Sequence, residues 1–105
     1  MIFITGPLYS GKRTFAETLS GRMICDVQEL VRENTELSEL VESLCEYDIV
    51  LATEIGGGIV PIDKAEREYR ERAGRLACLL ASRADTVVTM FCGIPRVIKG
   101  ELGEC

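Results

Sequence analysis

The chain has 105 residues, which points to one domain (1–105) near the short end of what buries a self-sufficient core. Apolar residues make up 47% and charged residues 28%, a globular balance, and a formal charge of −5 excludes a broad electrostatic grip on nucleic acid or anionic lipid. No apolar run approaches the ~18 residues of a membrane span and the opening run is too short for a secretory signal, so a cytoplasmic protein with no membrane partner is expected.

The opening MIFIT is a short unbroken apolar run, the pattern of a parallel strand buried on both faces. GPLYSGKR follows at residues 6–13 and meets G-x-x-x-x-G-K-[ST] at Gly6, Gly11 and Lys12, but places Arg13 where a hydroxyl is expected. KRTFAETLSG then reads as a helix with Phe15, Ala16 and Leu19 on one side and Gly21 as its stop. RMICD is a brief apolar stretch ending in Asp26. Helical spacing recurs from Val27 to Cys45, with a break expected at Asn34-Thr35.

YDIVLAT is the clearest strand, continuous in Ile49, Val50, Leu51 and Ala52, and EIGGGIVP reads as a loop at its carboxyl edge. Asp63 to Arg83 is the longest helix. Its buried stripe is Ala73, Leu76, Ala77, Leu80 and Ala84, and its polar face offers i,i+4 pairs Glu66–Arg70, Glu68–Arg72 and Glu71–Arg75. TVVTMF at 86–91 is a fourth strand, after which CGIPRVIKG reads as closing turns. The expected fold is therefore α/β, a parallel sheet of about four strands flanked by helices. Ligands of such sheets bind beyond the strands' carboxyl ends, where 6–13, Asp26, 54–60 and 92–96 converge.

Five cysteines (Cys25, Cys45, Cys78, Cys92, Cys105) lie at irregular spacing with no C-x-x-C. That argues against a disulfide framework or a zinc site and reads as buried thiols in a reducing compartment. The sequence contains no histidine, which removes the commonest general base and any phosphohistidine chemistry.

The residues that carry chemistry start with the loop Gly6, Pro7, Leu8, Tyr9, Ser10, Gly11, Lys12, Arg13 and Thr14. Successive backbone N–H groups there make a cradle for phosphate oxygens, and Lys12 adds a charge that reaches the β- and γ-phosphates; the plain alternative is a strand-to-helix turn. Arg13 cannot ligate a cation. Either it swings aside while Thr14 or water completes the shell of a Mg²⁺ ion, or it replaces the metal charge and binds phosphate itself. Thr14 is displaced by about 100° around a helix, which makes it a poor substitute for the missing hydroxyl. Asp26 stands where a second acid would hold Mg²⁺ through water, or else simply caps the next helix. Glu54 ends the third strand and either orients a nucleophile or metal, or is a solvated edge acid.

These stretches together resemble a known family. GPLYSGKRTFAE, TEIGGGIVP, KAEREYRERAGRLA and FCGIPRVIK are similar, in the same order, to the bifunctional adenosylcobinamide kinase / adenosylcobinamide-phosphate guanylyltransferase family. Its pattern runs G-G-x-R-S-G-K-S, N-E-V-G-x-G-I-V-P, R-x-F-R-D-x-x-G-R-x-N-Q and G-x-P-x-x-[LI]-K. The resemblance carries over Gly6, Ser10, Gly11, Lys12, Glu54, Gly56, Gly58, Pro61, Arg67, Arg70 and Arg75, with Asp26 matched to the family's second acid. It implies a P-loop NTPase-like fold, catalytic roles for Lys12 and Glu54, GTP or ATP as the nucleotide with Mg²⁺, a corrinoid (cobinamide) as acceptor, and a homo-oligomer, commonly a trimer. The departures are Arg13 for serine, Tyr9 for arginine, Thr53 for asparagine and Ala77-Cys78 for the N-Q pair. Family chains are also longer. The stretch expected to be absent here, between the first helix and the second acid-ending strand, carries the family's guanylyl-accepting histidine. The resemblance thus implies a kinase-like, nucleotide-binding protein of cobalamin biosynthesis without the histidine-dependent step, or a catalytically silent relative that binds nucleotide or corrinoid.

Overall fold

The computed structural model describes residues 1–7, 10–33, 36–54 and 63–101. Five strands form one sheet in the order β2-β3-β1-β4-β5: β1 Ile2–Gly6, β2 Met23–Ile24, β3 Ile49–Thr53, β4 Thr86–Phe91 and β5 Ile94–Lys99. The β1–β3, β1–β4 and β2–β3 pairs are parallel, and β4–β5 is antiparallel. The helices are α1 Lys12–Ala16, α2 Leu37–Leu44 and α3 Lys64–Arg83, with a 3₁₀ segment at Val27–Arg32. None of the described helices is long and apolar enough to cross a membrane.

Strand alternation divides the core between two faces. Phe3, Val50, Ala52 and Val87 pack toward Val27, Val31, Leu40, Val41, Leu44 and the α3 stripe. Ile4, Ile49, Leu51, Val88 and Met90 pack on the other face with Ala16, flanked by Phe15 and Leu19. Both faces of β3 are covered, which is why IVLA shows no polar alternation. The buried residues of α3 are Tyr69, Ala73, Leu76 and Leu80, followed by the buried cap Ala84, with Ala77 partly covered. The Asp63 side chain caps the helix by accepting from the Ala65 amide at 2.8 Å. Glu71 and Arg75 form the expected pair at 2.8 Å, while Glu66 also meets Arg32 at 3.4 Å and Glu68 meets Lys64 at 3.9 Å.

Three expectations need correction. The first helix stops at Ala16, because the Thr18 and Leu19 amides bond to Phe15 and Ala16 three residues back and the Thr18 hydroxyl also donates to the Phe15 carbonyl at 2.6 Å. The helical span from Val27 is interrupted, as expected, into the 3₁₀ segment and α2, although Asn34-Thr35, where the break was expected, lies outside the described residues. The closing segment is not a run of turns but a fifth strand. Cys92 (φ 49°) and Gly93 (φ 78°) are both left-handed, the geometry of a two-residue hairpin turn, and Phe91 pairs with Ile94 across it. Pro95 argues against a central strand, but β5 is an edge, where proline is tolerated. Among the described residues Cys25, Cys45, Cys78 and Cys92 are free thiols, with Cys78 and Cys92 exposed and Cys25 and Cys45 only half-buried, so the reading of them as core thiols does not hold; Cys105 lies outside the described residues.

Candidate anion site at the carboxyl edge of the sheet

Neighbouring strands β1 and β3 lead to opposite faces of the sheet, β1 into α1 and β3 toward α3, the arrangement that opens a crevice at their carboxyl ends. A pocket of about 340 Å³ lies there, lined by Ser10, Gly11, Lys12, Arg13, Thr14, Cys25, Asp26, Leu51 and Thr53. Of the residues expected in the site, Ser10 through Thr14 and Asp26 come together. Leu8 and Tyr9 lie outside the described residues, as do Gly56, Gly58 and Pro61. Gly6, buried, and Pro7, exposed, do not line the pocket.

The loop is shaped by close backbone contact. Gly11 has φ 89°, and a Cβ there would stand 3.1 Å from the Cα of Gly93 in the hairpin turn. The Gly93 amide donates to the Ser10 carbonyl at 2.8 Å, so the β4–β5 turn buttresses the loop. A Cβ on Gly6 would lie 2.6 Å from the Met90 carbonyl oxygen and 2.8 Å from Ser10 Oγ. The first amides of α1 have no acceptor within the helix, because none precedes them by four residues.

Two buried polar side chains mark the pocket. Ser10 is 3% exposed, and its Oγ has no hydrogen-bond partner among the described residues. Lys12 is 8% exposed, and its Nζ donates to the Pro7 carbonyl at 2.9 Å. Burial pulls the Lys12 ammonium below the usual lysine range, and the negative charges of Asp26 and Glu54 oppose that pull. Arg13 is exposed at the rim, with no ion-pair partner among the described residues.

Asp26 does not cap the 3₁₀ segment through its side chain. It sits at φ 55°, makes no capping bond, and its Oδ1 accepts from Thr53 Oγ1 at 3.4 Å. The plain capping alternative therefore fails, and the carboxylate belongs to the pocket. Glu54 follows β3 in an exposed position outside the lining, its amide donating to the Gly6 carbonyl at 2.8 Å. Among the described residues no three acids, cysteines or histidines converge on a metal site.

The sequence reading missed Cys25, Leu51, Thr53 and, behind them, Gln28. Gln28 is buried, and its Oε1 accepts from the Thr53 amide at 3.0 Å. Its position within an otherwise unremarkable VQELVR run carries no local signal, because the bond depends on where β3 ends.

The fold and site define an α/β protein whose candidate ligand edge gathers a glycine loop, a buried lysine and an acid at the end of a mostly parallel sheet. The family model for cobinamide kinase / cobinamide phosphate guanyltransferase matches residues 20–98. The chain is also 33% identical, over 84 residues, to the bifunctional adenosylcobalamin biosynthesis protein CobP of Pseudomonas aeruginosa, an alignment covering 79% of this chain and 49% of that one. The chain belongs to the cobinamide kinase / cobinamide phosphate guanyltransferase family. It spans about half the length of the curated relative it matches. The glycine loop at 6–13 precedes the stretch that the family model covers.

Proposed function

We propose that this chain is a nucleotide-binding, kinase-like protein of cobalamin biosynthesis with a P-loop NTPase-like fold, its loop 6–13 cradling the phosphates of GTP or ATP. The observation that carries the reading is the buried Ser10 Oγ, without a hydrogen-bond partner among the described residues, in the same pocket lining as the buried Lys12 at the carboxyl edge. A phosphate oxygen satisfies the Ser10 hydroxyl, and Lys12 exchanges the Pro7 carbonyl for the β- and γ-phosphates. The charges of Asp26 and Glu54 offset part of the burial penalty on the Lys12 ammonium, which favours its charged, anion-binding form.

The donor set fits Mg²⁺ bound in the usual manner, through one carboxylate together with phosphate oxygens and water. Asp26 is the residue that would hold it, with Thr14 also in the pocket lining. When bound, the ion neutralises charge developing on the transferred phosphoryl group. Glu54 orients the acceptor hydroxyl from the rim, and the acceptor proposed is a corrinoid, cobinamide. Guanylyl transfer through a histidine is not proposed for a sequence without one.

Arg13 favours a second reading, a relative that binds nucleotide or corrinoid without turning it over. It lines the pocket at the position where a hydroxyl would meet the metal. The exposed Phe91, Ile94, Val97 and Ile98 on the β4–β5 hairpin support a homo-oligomer, trimeric by analogy with the family.

Calorimetric titration of GTP and ATP, with and without Mg²⁺, on the wild type and Arg13→Ser tests these readings. Binding strengthened by Mg²⁺ and a further gain in Arg13→Ser are expected of the kinase. Mg²⁺-independent binding that Arg13→Ser weakens supports the silent binder. No heat at millimolar nucleotide overturns both, and a coupled assay with cobinamide separates transfer from binding.

A further inference from the structure

β2 contains only Met23 and Ile24, paired with Ile49 and Val50, so β3 runs on for three residues with no strand on that side. The backbone N–H groups of β3 alternate in direction. The Glu54 amide points to β1 and reaches Gly6, whereas the Thr53 amide faces the vacated side. Left alone, that part-buried N–H has no strand to supply its acceptor. Gln28 fills the role of the missing strand: it is 7% exposed, and its side-chain carbonyl accepts from Thr53 N at 3.0 Å.

Resting on the nucleotide reading above, we propose that Gln28 is a positioning residue for the phosphate site, holding the end of β3 so that Thr53 fixes the Asp26 carboxylate. The relay runs from Gln28 Oε1 to Thr53 N, then from Thr53 Oγ1 to Asp26 Oδ1 at 3.4 Å. Asp26 needs such a hold. Its backbone is left-handed at φ 55°, and its carboxylate makes no capping bond to the following turn. Asp26 and Thr53 line the pocket, while Gln28 is buried behind them and outside the lining.

The test measures inorganic pyrophosphate binding by calorimetry, with and without Mg²⁺, on the full chain carrying Gln28→Leu, Gln28→Glu, Thr53→Val, Asp26→Asn, or Gln28→Leu with Asp26→Asn. Gln28→Leu is expected to reduce the enhancement of affinity by Mg²⁺ about tenfold, the scale of an outer residue that orients a ligating carboxylate. Thr53→Val, which keeps the backbone bond to Gln28, should lose as much. Gln28→Glu, which keeps the acceptor, should stay near wild type. The double variant should be no worse than Asp26→Asn alone, since Gln28 acts through Asp26. Amide exchange gives a ligand-free reading: Thr53 should exchange faster in Gln28→Leu and not in Gln28→Glu.

If Gln28→Leu melts earlier but keeps the Mg²⁺ enhancement, Gln28 is structural only and the proposal fails. Should Gln28→Leu not fold, an unchanged enhancement in Thr53→Val overturns it equally. A wild type that binds pyrophosphate without any Mg²⁺ effect also overturns it, and a wild type that binds none overturns the nucleotide reading beneath it.

Discussion

Lys12 donates its ammonium to the carbonyl of Pro7 at 2.9 Å, so the loop's cation is bonded to the loop's own backbone. The ammonium is held in a buried position at a cost. Burial draws its proton affinity down, and the carboxylates of Asp26 and Glu54 recover part of the loss.

Replacing Lys12 with methionine removes that buried charge and keeps the apolar stem. Its folded pKa lies below the unfolded value, so the charge penalty is full at neutral pH and is relieved as pH climbs toward 10.5. Lys12→Met should therefore melt above wild type at pH 7. The gap should close in alkali. Thermal melts between pH 7 and 10 check this, and nucleotide should no longer raise the melting temperature.

Two glycines should respond in opposite directions to alanine. Gly6→Ala drives a Cβ to 2.6 Å from the Met90 carbonyl oxygen, backbone that cannot give way without moving β4. A loss of about 1–3 kcal/mol and weakened nucleotide binding are expected. Gly74 lies inside α3, and a Cβ there meets nothing within 4 Å. Gly74→Ala should stabilise by about 0.5–1 kcal/mol. Urea titrations of both variants measure the difference.

Tyr69 donates to Glu29 Oε2 at 3.0 Å, under the Arg32 guanidinium 3.6 Å from its ring centroid. Burial, reinforced by the Glu29 bond and charge, pushes its phenol up to about 12. A raised folded pKa gives stability that is complete below pH 10 and is lost as pH rises through 12. Tyr69→Phe should cost about 1–2 kcal/mol at neutral pH and flatten the alkaline loss. Ultraviolet titration of tyrosinate should show a late-ionising phenol in the wild type that disappears in the variant.

The hairpin turn presents Phe91 and Ile94 at 69% and 66% exposure on a sheet edge. If this edge is where copies meet, Phe91→Ser with Ile94→Ser should lower the mass seen by light scattering and leave the melting temperature of the dilute protein within about 1 °C, since surface changes away from the core cost little. An unchanged mass for an oligomeric wild type would place the interface elsewhere.

The strands β1, β3 and β4 and the helix α3 were legible because each carries an unbroken signal along its own length. MIFIT, IVLA and TVVTM are apolar runs that only a doubly covered strand needs, and α3 opens on a capping aspartate and keeps one buried stripe. The fifth strand was not legible. Its partner lies across a Cys-Gly turn, its proline suits only an edge, and its side chains are exposed on both faces, so no alternation marks it. Likewise, α1 has the apolar spacing of a longer helix, but local bonds at Thr18 end it.

The sequence by itself determined the order of the first four strands and the helices between them, the glycine loop with its lysine and misplaced arginine, and the absence of histidine, because these reside in residue identity and short-range spacing. Only the tertiary structure decided which of these residues meet. Asp26 became a pocket acid rather than a cap, Glu54 was left at the rim, and Gln28 was drawn in from a position with no motif. The physical reason is that β2 stops three residues before β3 does. The unpaired Thr53 amide then needs an acceptor, and the length of a neighbouring strand is a property of pairing across the sheet rather than of any one stretch of chain.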